Sequence, residues 1–465
     1  MNFLINSVLA FIFVLGVAVV LHEFGHFIVA KLLGIRVETF SVGFGPRIFG
    51  RRWGTTDYRL SAIPLGGYVK LGGDESNAPI EGEGATDIPP GERFDLRPRW
   101  QKFLVAVAGP VANVLTALAI PFFGAVFVGM PAEPSPVVRY VAPGGAADNA
   151  GIKPGDRIVS FNGQDDPTWR KIELDAALHP EQPLALVVDR DGQRLSLTIK
   201  PTRSTKKGEA IGLLDLQPDF GNVPVIVGAV EPGTPAAEAG LQPGDRILAV
   251  NGEPARNNQQ VKQYIQDHKT EPVRITIERG GQRHEVTATV RRLSDGTERI
   301  GISFGGKLPL ERVGLGEAAS YAVSTNVEII RATAIALGQV FSGQRKMSET
   351  LAGPIGIAQV TSDAAETSGL SGVISILGFL SLNLGIFNLL PIPVLDGGAI
   401  FLLFVEAVLG LVGLKLTMNM RERIQQAGFV ALLLLMGFVI TNDLMKMVSR
   451  WGSADDNKPA ITSPK

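Results

Sequence analysis

Two histidines and a glutamate lie close together near the amino terminus of this 465-residue chain, in the stretch VVLHEFGHFIVAK from Val19 to Lys31. In a helix, His22 and His26 are about one turn apart, so both imidazoles project from the same face, with Glu23 beside them. Neutral imidazoles at this spacing bind zinc, which needs a third protein ligand and an open position for water. Glu23 has the chemistry of a general base for that water. The pattern therefore predicts a zinc-dependent hydrolytic site.

These residues end a segment that is apolar enough to cross a membrane. Residues 1–21 contain no charged side chain, and about 20 helical residues span the ~30 Å hydrocarbon layer. A secretory signal peptide is the alternative, but its basic start and small-residue cleavage pattern are missing. Histidines paired with the glutamate only for helix packing are a second alternative. Because ionisable groups are costly in hydrocarbon, three of them on one helix require a stronger partner such as a metal ion.

Three further uncharged segments complete the membrane part: residues 103–130, 367–395 and 424–442. We predict a multi-span α-helical membrane protein with four transmembrane helices. Lysine and arginine concentrate in the loop after the first span, which places that loop in the cytoplasm and the metal motif near the cytoplasmic face. The amino terminus and the long segment from about 131 to 366 then lie outside, in the periplasm of a bacterial inner-membrane protein. A net charge of −1 without a basic patch gives no reason to expect nucleic acid.

The long external segment contains an internal repeat. The sequence AGIKPGDRIVSFNG at Ala150–Gly163 recurs 89 residues later as AGLQPGDRILAVNG at Ala239–Gly252. Turn residues followed by alternating apolar residues predict two tandem β-rich domains. Each resembles the PDZ domain in its bacterial, circularly permuted form.

The PDZ resemblance implies that a late loop in each domain captures a peptide carboxyl end. The residues of these two loops are Ile211, Gly212 and Leu213 in the first domain, and Ile300, Gly301 and Ile302 in the second. The alternative is that both domains are inert β spacers without a peptide in the groove.

A third metal ligand must come from elsewhere in the chain. There is no cysteine, which excludes thiolate ligands, thiol catalysis and disulfides. The other three histidines all lie in the external repeats. Asp396 is the candidate, because it lies near the end of the run NLGIFNLLPIPVLDGG, between two apolar segments. Pro391 and Pro393 break a helix there, which is tolerated at membrane depth only where protein or a cavity satisfies the freed backbone groups.

The residues that follow the metal motif form a second candidate site. Residues 37–73 are rich in β-branched and aromatic residues punctuated by glycine, which predicts strands and a membrane-associated β-hairpin region. A substrate helix must unwind before it is cut, and a strand edge can replace its lost hydrogen bonds. The strand predicted to hold the substrate consists of Tyr68, Val69, Lys70 and Leu71.

Taken together, these motifs resemble one known family. The sequence HExxH in the first span, AGPVAN at Ala108–Asn113, NLLPIPVLDGG at Asn388–Gly398 and the tandem PDZ-like domains are similar to the site-2 intramembrane metalloproteases. The resemblance implies Zn2+ held by His22, His26 and Asp396, with Glu23 as the catalytic base. It also implies that Asn388 lies near the scissile peptide, although a hydrogen bond between helices would equally explain this residue.

The same resemblance implies the substrates. They are single-span membrane proteins of the anti-sigma factor type, cut after another protease has removed their external domain, and remnant signal peptides. Two rival functions use the same residues. A metal transporter would need more polar residues along a path, and a non-catalytic PDZ scaffold would have no use for Glu23.

The predicted organisation follows the chain in nine segments. They are the first transmembrane helix 1–33, a cytoplasmic loop 34–100 with the β-hairpin region and an acidic stretch at 74–92, the second transmembrane helix 101–130, the PDZ-like domains 131–220 and 221–305, a periplasmic amphipathic helical segment 306–366, the third transmembrane region 367–410, the fourth transmembrane helix 424–447 and a tail 448–465.

Overall fold

The computed structural model describes residues 2–74, 87–204, 211–219, 224–267, 271–292, 298–305, 310–350, 353–414 and 418–455. These residues form two compact units. One contains the long apolar helices and a β-hairpin, and the other contains the two repeats. Residues 75–86 of the predicted acidic stretch and residues 456–465 of the predicted tail lie outside the described residues.

The described residues contain the following elements in chain order. The helices are α1 (Asn2–Leu32), α2 (Arg99–Phe127), α3 (Ala146–Asn149), α4 (Trp169–Leu178), α5 (Pro235–Glu238), α6 (Asn258–Asp267), α7 (Leu315–Phe341), α8 (Met347–Thr350), α9 (Pro354–Asn388), α10 (Asp396–Leu411) and α11 (Met418–Asp455). The strands are β1 (Val37–Trp53), β2 (Thr56–Leu71), β3 (Met130–Pro131), β4 (Ser135–Val141), β5 (Arg157–Phe161), β6 (Gln164–Asp165), β7 (Leu184–Arg190), β8 (Gln193–Ile199), β9 (Thr202–Ser204), β10 (Ile211–Leu213), β11 (Leu216–Asp219), β12 (Val225–Val230), β13 (Arg246–Val250), β14 (Glu253–Pro254), β15 (Pro272–Arg279), β16 (Gln282–Thr289), β17 (Arg291–Arg292), β18 (Glu298–Arg299), β19 (Ile302–Gly305) and β20 (Leu310–Glu311).

Within the described residues, four helical segments are long and apolar enough to cross a membrane: Ala10–Leu32, Arg99–Phe127, Ser368–Asn388 and Arg423–Lys446. The third begins at a kink in α9 at Gly369, whose φ of 60° only glycine adopts readily. Helix α11 continues to Asp455 and so extends into the residues predicted as a tail.

Helices α1, α2 and α9 pack against one another. Val14 and Ala18 of α1 form a buried cluster with Val373 and Leu377 of α9. Lower on α1, Gly25 lies so close to α2 that a Cβ there would be 2.3 Å from the carbonyl oxygen of Ala108. This close crossing fixes the part of α1 that carries the metal motif.

Strands β1 and β2 form a hairpin that folds back on itself. Residues 39–42 of β1 pair on one side with residues 67–70 and on the other with residues 57–60. The end of β1, residues 47–53, pairs with the start of β2. The hairpin is therefore a sheet of four segments, in which residues 67–71 form an outer edge.

The two repeats have matching sheets. The first has strand order β11-β4-β5-β7-β8 and the second has order β16-β15-β13-β12-β19, each around its own buried cluster. The shared PGD sequence is explained by one ion pair in each repeat, Asp156 with Arg190 and Asp245 with Arg279. At the ends of this region β3 pairs with β20, so the chain enters and leaves at one point.

Helix α7 covers most of the segment 315–345, for which the sequence predicts an interfacial amphipathic helix. It is not among the four apolar segments of the described residues. Its buried Asn326 donates a hydrogen bond to the carbonyl oxygen of Ala117 at 3.0 Å. Because that contact is with α2, this turn of α7 packs against protein.

Candidate metal centre and active site

His22, His26 and Asp396 come together as the sequence predicts, although 370 residues separate His26 from Asp396. Nε2 of His22 lies 3.0 Å from Oδ2 of Asp396 and 3.2 Å from Nε2 of His26. Nε2 of His26 lies 3.4 Å from Oδ1 of Asp396. Ligand atoms about 2.1 Å from a tetrahedral zinc ion are themselves about 3.4 Å apart. The spacing and the nitrogen and oxygen donors therefore fit zinc.

Close backbone approach shapes the wall behind the histidines. A Cβ on Gly109 of α2 would lie 2.3 Å from Nε2 of His26 and 2.8 Å from Nε2 of His22. No side chain fits at position 109 while both imidazoles point into the centre, so this position requires glycine. Gly25, which packs against Ala108, brings the two helices to this distance.

A turn after α9 delivers Asp396. Helix α9 ends at Asn388, as the two prolines predict, and the amide of Leu395 bonds the carbonyl of Ile392 at 3.2 Å. Within this turn Val394 has a φ of 81°, which is strained for a β-branched residue. Asp396 then begins α10.

Two glycines after Asp396 hold this turn against the new helix. A Cβ on Gly397 would lie 2.2 Å from the carbonyl oxygen of Leu390, and one on Gly398 would lie 2.3 Å from that of Ile392. Both positions therefore require glycine, because a side chain at either one would collide with a backbone carbonyl group of the turn.

Outer hydrogen bonds orient both imidazoles. Nδ1 of His26 lies 2.7 Å from the carbonyl oxygen of Val105, and Nδ1 of His22 lies 3.1 Å from Nδ2 of Asn113. Ser381 of α9 in turn contacts the Asn113 side chain at 3.2 Å. The AGPVAN sequence is the only signal for Asn113, and nothing in the sequence indicates Val105 or Ser381.

Glu23 lies beside the metal cluster but outside it. Within the part of the chain that the structure describes, the three residues grouped so that they could hold a metal ion are His22, His26 and Asp396. The backbone amide of Val69 faces the Glu23 carboxylate. A Cβ on Gly67 would lie 3.4 Å from Cγ of Glu23. The outer edge of the hairpin therefore runs next to Glu23.

The other residues of the predicted substrate site lie beside a metal ligand or within the hairpin. Nδ2 of Asn388 lies 3.4 Å from Nε2 of His22. The ring of Tyr68 stacks on Phe44, and Lys70 is buried with its ammonium 3.9 Å from the carboxylate of Glu38.

The predicted carboxyl-binding loop of the first repeat requires a correction. Ile211, Gly212 and Leu213 pair with β9 instead of entering the main sheet. In the second repeat Ile302 pairs with Val230. The residue that pairs with the equivalent Val141 is Leu216. The matching triplet is therefore Leu214–Leu216, because the 89-residue offset of the repeat falls to 86 in this loop.

The two loops also differ in chemistry. Gly301 has a φ of 85°, and Asp215 takes its place in the first repeat with a φ of 56°. In each repeat this loop residue packs against a residue at the start of the short helix that follows the first strand, and the two repeats place the side chain on opposite sides of that contact. A Cβ on Gly301 would lie 2.4 Å from Cβ of Thr234, whereas Gly145, the counterpart of Thr234, leaves room for Asp215. Each repeat thus has one glycine and one side chain at this contact.

Comparison with known proteins places the chain in a peptidase family. The model of peptidase family M50 matches residues 10–435. The regulator of sigma-E protease RseP of Salmonella typhimurium is 31% identical over 471 residues, which are 94% of this chain and 98% of that protein. Protease RseP of Yersinia pestis is 31% identical over 477 residues, covering 95% and 99%. A Neisseria meningitidis protein that carries the name of a zinc metalloprotease is 32% identical over 472 residues, covering 95% and 100%.

Solved structures match parts of the chain. The PDZ domain of an SdrC-like protein from Listeria monocytogenes is 26% identical and covers 18% of this chain and 90% of that domain, with a TM-score of 0.17. The PDZ domain of the SdrC-like protein from Listeria innocua is 29% identical and covers 17% and 92%, with a TM-score of 0.16.

Proposed function

The chain belongs to peptidase family M50 and is a zinc metalloprotease, and on that premise we propose that it cleaves the transmembrane segments of single-span membrane proteins. The observation that carries the proposal is the position of His22, Glu23 and His26 on one of the helices apolar enough to span a membrane. A catalytic site at that depth meets peptide bonds that lie in the bilayer themselves. The substrates proposed are an anti-sigma factor already trimmed by another protease, and remnant signal peptides.

The residues divide the chemistry between them. His22, His26 and Asp396 would hold the zinc ion, which when bound supplies a Lewis acid and lowers the pKa of water. Glu23 takes the proton from the attacking water and passes it to the leaving nitrogen. Asn388, 3.4 Å from His22, donates its amide hydrogen to the scissile carbonyl oxygen.

A transmembrane helix must unwind before its carbonyl groups can be attacked, because each is engaged in the helical ladder. Freed backbone groups cost several kcal/mol each in hydrocarbon unless they find partners. The hairpin edge at Tyr68–Leu71 supplies them by strand addition. The amide of Gly72 donates inward to the carbonyl oxygen of Arg36 at 2.7 Å. Since residues alternate along a strand, Gly67, Val69 and Leu71 present their backbone groups outward.

Disulfide cross-linking tests this strand directly, because the chain has no cysteine to interfere. Glu23→Gln enzyme carrying Val69→Cys should cross-link to a substrate with one cysteine near the cut. Glu23→Gln enzyme that carries Phe49→Cys in place of Val69→Cys, on the opposite edge of the hairpin, should not cross-link. Equal cross-linking at both edges would remove Tyr68–Leu71 from the substrate site.

The second repeat is the better candidate for capturing a peptide carboxyl end. Its loop Ile300–Ile302 has a glycine where the first repeat has the Asp215 carboxylate. That carboxylate would repel a peptide carboxylate in the same position. Carboxyl-end binding therefore belongs to the second repeat.

The protein is an inner-membrane protein by its apolar helices and its RseP relatives, and its orientation is part of the proposal. The distribution of lysine and arginine supports a cytoplasmic hairpin and periplasmic repeats. Single cysteines at Thr55 in the hairpin turn and Gln193 in the first repeat test it. An impermeant maleimide applied to spheroplasts should label Gln193→Cys and spare Thr55→Cys, and the reverse pattern would refute the orientation.

The activity itself is tested with purified full-length protein and a reporter embedded in lipid vesicles. Cleavage within the reporter's transmembrane segment should stop with a zinc chelator and return when zinc is added. A metal transporter would move zinc across the vesicle without cutting the reporter, and a scaffold would bind it intact. Either outcome would contradict the proposal.

A further inference from the structure

The two histidines of the centre have different outer partners. Nδ1 of His26 faces the carbonyl oxygen of Val105 at 2.7 Å. Because a carbonyl can only accept, Nδ1 carries the proton and Nε2 keeps its lone pair for a metal ion. His22 faces the side-chain amide of Asn113 instead, which offers both a donor and an acceptor.

The amide orientation in the structure suits His22 without a metal. Nδ2 of Asn113 lies 3.1 Å from Nδ1 of His22 and donates to it. The His22 proton then sits on Nε2, where it can bond Oδ2 of Asp396 at 3.0 Å. A metal ion requires the opposite tautomer, with the proton on Nδ1 and an acceptor facing it.

Turning the Asn113 amide by 180° provides that acceptor without moving the helix, because Oδ1 and Nδ2 exchange places. Oδ1 then faces Nδ1 of His22, and Nδ2 faces Oγ of Ser381 across 3.2 Å. Oγ of Ser381 also lies 3.1 Å from the Asn113 carbonyl oxygen. Its hydroxyl can donate there while accepting from Nδ2, so Nδ1 of His22, both amide groups of Asn113 and the Ser381 hydroxyl all have partners.

We infer that Asn113, held by Ser381, is the positioning residue that sets the tautomer of His22 for zinc. Asn113 and Ser381 are both fully buried, so water does not replace either partner. The inference rests on the proposed zinc site at His22, His26 and Asp396. Hydrogen bonds of this kind change metal affinity by about 10- to 100-fold in other sites.

Zinc affinity of the full-length protein, measured by competition with a chelator, tests the inference. Asn113→Leu keeps the volume but removes both hydrogen-bonding groups, and should weaken zinc binding by about 10- to 100-fold. Asn113→Asp offers only acceptors, so it should bind zinc at least ten times more tightly than Asn113→Leu. Thr116→Val, on the same helix, is the matched control and should bind zinc as the parent does.

Ser381→Ala gives an independent arm if Asn113→Asp does not fold. It should weaken zinc binding less than Asn113→Leu does, and the double variant should be no worse than Asn113→Leu alone, because both residues act through one hydrogen bond. The visible spectrum of the cobalt-substituted protein reports the ligand field of His22 and should change in Asn113→Leu. A role in helix packing alone would lower the melting temperature of the metal-free protein and leave that spectrum unchanged.

The result that overturns the inference is zinc binding by Asn113→Leu within twofold of the parent, or equally weak binding by Asn113→Leu and Asn113→Asp. His26→Ala separates this from failure of the zinc site itself. If His26→Ala also binds zinc normally, the site is wrong, and Asn113 has no zinc ligand to orient. If only His26→Ala loses zinc, the site stands and the role of Asn113 falls.

Discussion

Gly109 packs directly against the imidazole of His26 and leaves room only for a hydrogen atom, since a Cβ on Gly109 would lie 2.3 Å from Nε2 of His26. Gly109→Ala should therefore push His26 out of the centre and lower both zinc content and proteolysis at least tenfold. Gly124→Ala is the matched control, because it lies on the same helix with no heavy atom within 4 Å of the added methyl group. Metal analysis of the two purified variants checks the prediction, and full zinc content in Gly109→Ala would contradict it.

The second repeat should tolerate a side chain at position 301 only if Thr234 is replaced by a smaller residue. In Gly301→Ala the new methyl group would lie 2.4 Å from Thr234, and the alanine would have to adopt a φ of 85°. We therefore expect the free energy of unfolding of this repeat to fall by about 2–4 kcal/mol. Thr234→Gly should restore the part caused by the steric contact. Hydrogen exchange of the β12 and β19 amides in the full-length protein measures both effects.

A control separates backbone strain from the steric contact. Gly281 has a φ of 79° with open space around its missing Cβ, so Gly281→Ala should cost about 1 kcal/mol. An equal loss in Gly281→Ala and Gly301→Ala would show that Thr234 is irrelevant.

The buried ion pair of the first repeat makes its stability depend on pH. Burial raises the pKa of Asp156, but the hydrogen bonds from Arg190 and the Lys153 amide outweigh it and leave the pKa below the ordinary value. Because the pKa of Asp156 is lower in the folded state than in the unfolded state, the ionised carboxylate stabilises the repeat fully above pH ~4. This stabilisation is lost as the pH falls through the folded-state pKa. Asp156→Asn should therefore flatten the acid side of the stability profile of β4–β8, measured by hydrogen exchange.

Arg190→Met tests the same pair from the other side. It leaves the Asp156 carboxylate buried without its cation, which costs about 3–5 kcal/mol at neutral pH. The deficit should shrink as acid protonates Asp156. Arg194→Met removes an exposed arginine four residues later and should change little. A deficit in Arg190→Met that is constant from pH 7 to pH 4 would contradict the account.

The tandem repeats should control access to the site more than they contribute to its chemistry. Pro131 pairs with Leu310, so a contact a few residues outside each end of a deletion of residues 135–304 holds the two flanking segments together. The deletion variant should keep its zinc and cleave a substrate that retains its bulky external domain. Loss of cleavage of both trimmed and untrimmed substrates, with zinc retained, would refute this role.

The sequence predicts the centre well because its residues obey local rules. His22 and His26 lie one helical turn apart, and the break at Pro391 and Pro393 places Asp396 at the start of a new helix. The hairpin also follows from alternating β-branched and aromatic residues punctuated by glycine.

Other features depend on contacts that sequence spacing does not encode. Every residue has a backbone carbonyl group, so the sequence carries no signal that the one at Val105 contacts His26. Ser381 reaches Asn113 only because α2 and α9 cross there. The loop triplet of the first repeat is misplaced by the constant 89-residue offset, since only the pairing of Leu216 with Val141 reveals three extra residues.

The central claim is that three residues hold zinc while Glu23 moves the proton. Zinc content and reporter cleavage, measured on the same preparations of purified Glu23→Gln and Asp396→Asn, test it most directly. Glu23→Gln should keep zinc at the parent's level and lose turnover by at least 100-fold, whereas Asp396→Asn should lose both. Substantial hydrolysis by Glu23→Gln, or full zinc content in Asp396→Asn, would contradict the account.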